Sequence, residues 1–199
     1  RALHAGQDAH VAAACPAVPR WMVADLKKVS GTARGQTLSV PGTATAMGEA
    51  SLVNALAPGD RVLACRFGQF SHLFIDCAER LGLRVDVIDL EWGEAAPPDR
   101  IGQLLTGDTQ HDIKAVLIVH NETATGVTSD IGAIRSAMDA AKHPALLHVD
   151  GVRSIASLDF RFDEWKVDFA IAGSQKGFMM PAGLGLLCVS EKGLAMADS

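Results

Sequence analysis

A single lysine, Lys176, follows an apolar run and lies between glycines in the segment IAGSQKG at residues 171–177. Glycines allow the backbone to come close to another group, which a surface lysine does not require. A lysine amine becomes a nucleophile or a base when its surroundings remove water and lower its pKa. The pattern therefore predicts that Lys176 is desolvated, held still and chemically active.

Polar, acidic and aromatic side chains also follow other apolar runs or precede a helix. The segments are PGTATA at 41–46, FGQF at 67–70, HNETATG at 120–126 and DGVRS at 150–154. This set suits a flat, phosphorylated, nitrogen-containing aldehyde cofactor. A hydroxyl-rich helix start would bind the phosphate, an aromatic ring would stack on the cofactor, a carboxylate would pair with the ring nitrogen, and the lysine would form a Schiff base. Neither Gly-x-Ser-x-Gly nor a Gly-x-Gly-x-x-Gly after a strand occurs, which argues against a serine hydrolase and a dinucleotide site.

The elements that must position these side chains alternate along the chain. Apolar runs typical of strands covered on both faces lie at 61–67, 84–90, 114–120, 145–150, 168–173 and 184–190. Helical patterns lie at 47–56, 70–81, 98–106 and 129–142. The alternation predicts an α/β fold with a largely parallel sheet and right-handed crossovers. Such sheets bind ligands at the carboxyl ends of their strands, so the segments above are expected to meet at one rim.

Composition excludes several classes of function. The 199 residues carry a formal charge of −5, which argues against sequence-independent nucleic-acid binding. No apolar run has the ~20 residues of a membrane span. The four cysteines are scattered and the seven histidines lack ligand spacing, so we expect reduced core cysteines and no metal. These features favour a soluble, intracellular protein.

Three longer stretches resemble one known family. They are HNETATGVTSDI at 120–131, LLHVDGVRSIASLDFRFDEWKVDFAIAGSQKG at 146–177 and PAGLGLLCVS at 181–190. The chain resembles the class V, fold-type I pyridoxal-phosphate aminotransferases, most specifically their serine–glyoxylate branch. The resemblance implies an N-terminal segment at 1–39 that packs on a cofactor-binding large domain at 40–199. It also implies a small C-terminal domain beyond this chain.

The resemblance assigns a role to individual residues. Lys176 matches the lysine that bonds to the aldehyde of pyridoxal 5'-phosphate, and Asp150 matches the carboxylate that binds the pyridine nitrogen. The positions that match other cofactor contacts are Val152 and Phe70 on the two ring faces, Thr43, Ala44, Thr45 and Gln175 near the phosphate, and Thr123 near the ring oxygen. Ala44 stands where relatives have glycine, which is unfavourable if the backbone there needs a positive φ.

The implied reaction moves the amino group of L-serine to glyoxylate and gives hydroxypyruvate and glycine. The implied assembly is a homodimer or higher homo-oligomer that acts on small amino and 2-oxo acids without nucleic acid or membrane. It would be cytoplasmic, or peroxisomal in a plant. Two alternatives remain open. One is alanine–glyoxylate transamination or another class V reaction with the same cofactor, and the other is a non-catalytic α/β domain that binds a nucleotide or a partner protein. The arginine that holds the substrate carboxylate is expected beyond residue 199.

Overall fold

The computed structural model describes residues 17–197, so residues 1–16 of the predicted N-terminal segment lie outside it. Within the described range, helices and strands follow one another along the chain. They are α1 Ala17–Ser30, β1 Gln36–Pro41, α2 Ala44–Val53, β2 Arg61–Arg66, α3 Gln69–Arg80, β3 Arg84–Asp89, α4 Pro98–Gly107, β4 Ile113–Val119, α5 Ile131–Ala140, β5 Leu146–Asp150, β6 Phe169–Gly173, β7 Leu184–Val189 and α6 Glu191–Ala197. The strands and helices expected from the sequence are present, and β1, α1 and α6 are additions.

The strands of residues 17–197 form one seven-stranded sheet in the order β1-β7-β6-β5-β4-β2-β3. Strands β2 to β6 pair in parallel, whereas β7 is antiparallel to both of its neighbours, β1 and β6. The sheet is therefore mostly parallel, as predicted. The predicted boundary between the N-terminal segment and the large domain, at residues 39 and 40, falls inside β1.

Helices cover both faces of the sheet. Alternate residues of β4 belong to two apolar clusters, with Val116 in one and Leu117 in the other. The first cluster also contains core residues of α1, α4 and α5, and the second contains core residues of α2 and α3. Burial on both faces explains why β4 is an almost uninterrupted apolar run.

Two paired glycines allow α2 to approach the sheet closely. Gly173 of β6 lies opposite Gly185 of β7 in the antiparallel register. A Cβ built at Gly185 would lie only 2.5 Å from Met47 Cγ and 2.7 Å from the Thr43 carbonyl oxygen. Any larger residue would push the first turn of α2 outward, so this glycine allows the start of α2 to pack closely on the sheet.

Residues 17–197 have neither a membrane-spanning helix nor a group of side chains suited to a metal ion. No helix in this range is long and apolar enough to cross a membrane. Within the same range, no three His, Cys, Asp or Glu side chains are grouped so that they could hold a metal ion.

Candidate active site

A cavity of about 540 Å³ lies where β5 and β6 end, and we refer to it as the Asp150 cavity. Five of the predicted site residues line it: Ala44, Thr45, Phe70, Asp150 and Val152. They come from α2, α3 and the end of β5, which are far apart in the sequence. The parallel sheet thus brings the expected helix start, aromatic ring and carboxylate to one rim.

The N-terminus of α2 forms one side of this cavity. Thr43 is the N-cap, and its Oγ1 accepts a hydrogen bond from the Ala46 N–H at 3.1 Å. The amides of Ala44 and Thr45 have no acceptor within the helix, because the first N–H groups of any α-helix lack one. Ala44 is the first residue of α2 and has no positive φ, whereas Gly42 has φ 157°. The unfavourable strain considered for Ala44 is therefore absent.

Asp150 is the last residue of β5 and is partly buried. Its Oδ1 accepts a hydrogen bond from the Val152 N–H at 2.9 Å, and no cation among the described residues forms an ion pair with it. Burial raises the pKa of Asp150 to about 6, and the negative charge of Glu122 adds to this effect. A carboxylate in this environment would be stabilised by a ligand that carries a positive charge.

Phe70 and Val152 supply apolar surface on the same cavity. Phe70 lies in the first turn of α3 and its side chain is 40% exposed, so the ring is available to a ligand. Val152 is partly buried against the second apolar cluster. The carboxylate of Glu122 accepts hydrogen bonds from the backbone amides of Phe70 and Ser71, which holds the start of α3 in place.

Lys176 lines a second cavity, of about 430 Å³, together with Asn121, Arg153 and Ser157. Its side chain is exposed, and its ammonium forms no hydrogen bond or ion pair with the side chains described, those of residues 22–197. The prediction that Lys176 is desolvated is wrong for the isolated chain, because its side chain is exposed to water. The segment that carries it leaves the sheet in a series of turns, and Met179 in that segment is 91% exposed. Without a cover or an anion, the ammonium stays in water, because burial of an unpaired charge is very unfavourable.

Thr123 and Gln175, the other two predicted residues, are both exposed and lie at different places on the rim. The Thr123 carbonyl accepts a hydrogen bond from Arg153 Nη1 at 3.1 Å, beside the second cavity. A Cβ built at Gly173 would lie 2.8 Å from Gln175 Oε1 and 3.3 Å from Ala44 Cβ. Gln175 is therefore close to the start of α2, where a phosphate site was expected.

The sequence did not predict two features of the site. Glu122 is fully buried, although it occurs in the polar segment after β4. The Asp150 cavity also extends along α3, where Leu73, Phe74, Cys77 and Leu81 line it. Their spacing predicts an amphipathic helix, but only the tertiary structure shows that part of this apolar stripe faces a cavity.

Comparison with known proteins shows which family the chain is similar to. The model of the family described as Aminotransferase class-V matches residues 26–198, most of the chain.

The chain belongs to the class V aminotransferases.

Among relatives in this family, the serine–glyoxylate aminotransferase of Methylorubrum extorquens is 56% identical over 100% of this chain and 49% of its own length. The L-aspartate–glyoxylate aminotransferase of Paracoccus denitrificans is 53% identical over 87% of this chain and 44% of its own length. The solved structure of ureidoglycine–glyoxylate aminotransferase from Bacillus subtilis superimposes with a TM-score of 0.84. It shares 31% identity and covers 92% of this chain and 47% of that one. The chain thus spans about half the length of the relatives, and the predicted family and fold are confirmed.

The raised pKa of Asp150 predicts a pH-dependent stability in the cofactor-free protein. Between the ordinary value of 3.8 and about 6, the folded state holds the Asp150 proton more tightly than the unfolded state does. The contribution of Asp150 to the free energy of unfolding therefore decreases as pH rises through this window. Asp150→Asn should be more stable than wild type above about pH 6, by at most ~3 kcal/mol, and the difference should disappear towards pH 4.

Urea unfolding at several pH values measures this difference. Asp89→Asn is a matched control at another strand end. The hydrogen bond from Arg66 lowers the pKa of Asp89, so its replacement should bring no gain in stability at neutral pH. A pH-independent difference between Asp150→Asn and wild type would show that the Asp150 carboxyl has an ordinary pKa.

Proposed function

We propose that the protein is a pyridoxal-phosphate-dependent aminotransferase that moves the amino group of L-serine to glyoxylate and forms hydroxypyruvate and glycine. The observation that carries this proposal is the 56% identity, over the whole chain, to a serine–glyoxylate aminotransferase. The 53% identity to an L-aspartate–glyoxylate aminotransferase supports aspartate as a second candidate donor. Both candidates have glyoxylate as the acceptor.

The residues of the Asp150 cavity fit this cofactor. Its volume of about 540 Å³ is within the range of small-molecule sites. The Asp150 carboxylate lacks a cationic partner among the described residues, and a protonated pyridine nitrogen would provide one. The free amides and positive dipole end of α2 suit a phosphate. Phe70 offers an exposed ring at the same cavity.

In the proposed reaction, the bound cofactor supplies an electron-withdrawing ring that stabilises negative charge at the substrate Cα. Asp150 keeps the ring nitrogen protonated, which maintains this property. Phe70 and Val152 hold the ring by contact with its two faces, and the start of α2 holds the phosphate. Lys176 would hold the cofactor aldehyde through its amine at rest. Once the substrate amine replaces it, the freed neutral amine of Lys176 would accept the proton from the substrate Cα.

Lys176 must become less hydrated to act in this way. Lys176 and Arg153 both line the second cavity. A neighbouring cation and loss of water both favour the neutral amine. We propose that bound cofactor, together with the remainder of the protein, covers the segment at 174–180 and provides this environment.

We also propose that the protein is a homodimer or a higher homo-oligomer. Met179 is 91% exposed beside Lys176, and Leu73 on α3 is 46% exposed at the Asp150 cavity. Exposed apolar side chains next to a site are typical of a surface that another chain covers. Sedimentation of the full-length protein measures the assembly, and an active monomer would contradict the proposal.

A transamination assay tests the proposed reaction directly. The full-length protein, freed of cofactor, should convert serine and glyoxylate into hydroxypyruvate and glycine only after pyridoxal phosphate is added. Serine, aspartate and alanine should be compared as donors at equal concentration by kcat/KM. Activity without the cofactor would contradict the proposal, and a preference for aspartate would select the second candidate donor.

The stacking role of Phe70 leads to a prediction of cofactor affinity. Phe70→Ala should weaken binding of pyridoxal phosphate to the cofactor-free protein by about 0.5–1.5 kcal/mol, the contribution of aromatic contact beyond burial. Phe70→Trp should bind as well as wild type, because it retains an aromatic face. Titration followed by absorbance gives the dissociation constants.

Trp92→Ala is the control for this experiment, since Trp92 is 63% exposed and is not among the residues that line the Asp150 cavity. Its affinity for the cofactor should equal that of wild type. If Phe70→Ala also binds normally, Phe70 does not stack on the ring.

A further inference from the structure

Glu122 is a buried carboxylate that the proposed reaction does not use. It lies in the polar segment that follows β4, and none of its surface is exposed. No Lys, Arg or His among residues 22–197, whose side chains the structure describes, forms an ion pair with it. A buried charge without a counter-ion requires strong hydrogen bonds, so its neighbours should explain why it is tolerated.

Both carboxylate oxygens of Glu122 accept hydrogen bonds from backbone amides of two separate segments. Oε2 accepts from Phe70 at 3.1 Å and from Ser71 at 2.9 Å, in the first turn of α3. Oε1 accepts from Phe70 at 3.2 Å and from Ala124 at 3.0 Å, in the turn that carries Thr123. The negative charge also lies at the positive end of the α3 dipole.

Gly68 provides the space for this carboxylate. A Cβ built at Gly68 would overlap Glu122 Cγ and lie 2.5 Å from Cδ. The backbone at Gly68 has φ 170° and ψ −171°, an extended conformation that any residue adopts. Glycine is therefore needed at this position because of Glu122, and not because of the backbone.

The segments that Glu122 joins carry predicted cofactor contacts. Phe70 lies on one of them and Thr123 on the other. Glu122 itself is not among the residues that line the Asp150 cavity. Its charge nevertheless reaches Asp150, where it contributes to the raised pKa of that carboxyl.

We propose that Glu122 is a positioning residue that holds the Phe70 end of α3 and the Thr123 turn against the cofactor cavity through the backbone amides of Phe70, Ser71 and Ala124. This inference rests on the proposed function, because it assigns the held segments to cofactor binding. Glu122 positions these segments and makes no contact with the cofactor.

Glu122→Gln tests the proposal in the cofactor-free, full-length protein. A carboxamide has one acceptor oxygen. If its NH2 group faces Ser71, α3 keeps only the hydrogen bond from Phe70, and if it faces Ala124, the Thr123 turn loses its hydrogen bond. Affinity for pyridoxal phosphate should fall about tenfold, or ~1.4 kcal/mol. In a Phe70→Ala background the same substitution should have a clearly smaller effect, because part of its action passes through Phe70.

The charge provides a second readout that does not depend on enzyme activity. The pKa of Asp150, measured by carbon-13 NMR of the carboxyl, should decrease in Glu122→Gln because a neighbouring negative charge is gone. The other ionisable side chains that line the cavity, Glu49, Asp76, Cys77 and Arg80, are unchanged in this variant. An unchanged pKa of Asp150 would contradict the placement of Glu122 behind the cavity.

Asp130→Asn is the matched control. Asp130 also caps a helix, since its Oδ1 accepts a hydrogen bond from the Ala133 amide of α5 at 2.8 Å. It holds no segment that carries a predicted cofactor contact. Asp130→Asn removes the charge near the start of α5 but keeps an oxygen that can cap the helix, so it should bind pyridoxal phosphate like wild type. If Asp130→Asn weakened cofactor binding as much as Glu122→Gln does, the role of Glu122 would be one of general stability, and the proposal would be overturned.

Gly68→Ala supplies an independent perturbation if Glu122→Gln does not fold. The added methyl group displaces the carboxylate, so cofactor affinity should fall about tenfold here too, or ~1.4 kcal/mol. If a folded Gly68→Ala or Glu122→Gln protein binds the cofactor with wild-type affinity, this inference is overturned but the proposed function is not. A wild-type protein that binds no pyridoxal phosphate would overturn the proposed function and this inference with it.

Discussion

Replacement of Lys176 by alanine should abolish the covalent attachment of pyridoxal phosphate and reduce transamination by roughly 10²–10⁴-fold, the range that a positioned acid–base group contributes. The variant should still bind the cofactor, because Asp150, Phe70 and the start of α2 remain. The absorbance band of the lysine–cofactor bond should therefore be absent, while equilibrium dialysis still detects bound cofactor. Single-turnover kinetics with serine measure the loss of rate.

Two further variants separate the amine of Lys176 from its charge. Lys176→Arg retains a cation but has no amine that can be neutral at physiological pH, so it should be as inactive as the alanine variant. Lys114→Ala removes an exposed lysine whose ammonium binds the His111 carbonyl, and it should react like wild type. A Lys176→Ala protein that retains both the absorbance band and the rate would show that another lysine carries the cofactor.

Asp150→Asn should retain the cofactor and slow the proton-transfer step by about 10²–10³-fold, which is typical of the loss of one preorganised electrostatic contact. The amide occupies the same volume and can still accept the hydrogen bond from the Val152 amide. It cannot carry the negative charge that keeps the pyridine nitrogen protonated. The rate of the half-reaction with serine, followed by cofactor absorbance, gives the effect.

Asp89→Asn is the control for this kinetic experiment as well. Asp89 ends β3 and binds Arg66 on the neighbouring strand at an exposed position. Its replacement removes a strand-end carboxylate without a change at the Asp150 cavity, so the rate should be unchanged. A half-reaction of Asp150→Asn at the wild-type rate would contradict the proposed role of Asp150.

Much of the sheet could be predicted because its strands have a local signature. Strands β4 and β6 are buried on both faces and therefore appear as apolar runs with polar residues at their ends. The reversed direction of β7 could not be predicted, since a buried run looks the same in either direction. Strand β1 was missed because it lies at the edge of the sheet, where Leu38 and Val40 are exposed and the burial pattern is irregular.

The site was predictable in residue type but only partly in arrangement. Ala44, Thr45, Phe70, Asp150 and Val152 all meet at one cavity, as the rule for parallel sheets implies. The solvation of Lys176 was not predictable, because it depends on what covers the segment after β6 rather than on the neighbouring glycines. The assigned roles of these residues stay predictions until the variants are measured.

Residue types and their local pattern were sufficient to predict the α/β class and the order of most elements. They were also sufficient to single out a lysine, a carboxylate and an aromatic ring after strands. These properties follow from apolar periodicity and from residue type, both of which are local. Only the tertiary structure showed that Lys176 and Asp150 line different cavities and that Glu122 ties the start of α3 to the turn after β4. The contacts of Glu122 with Phe70 and Ser71 join residues 52 and 51 positions apart. Their energy depends on burial, which a linear pattern does not specify.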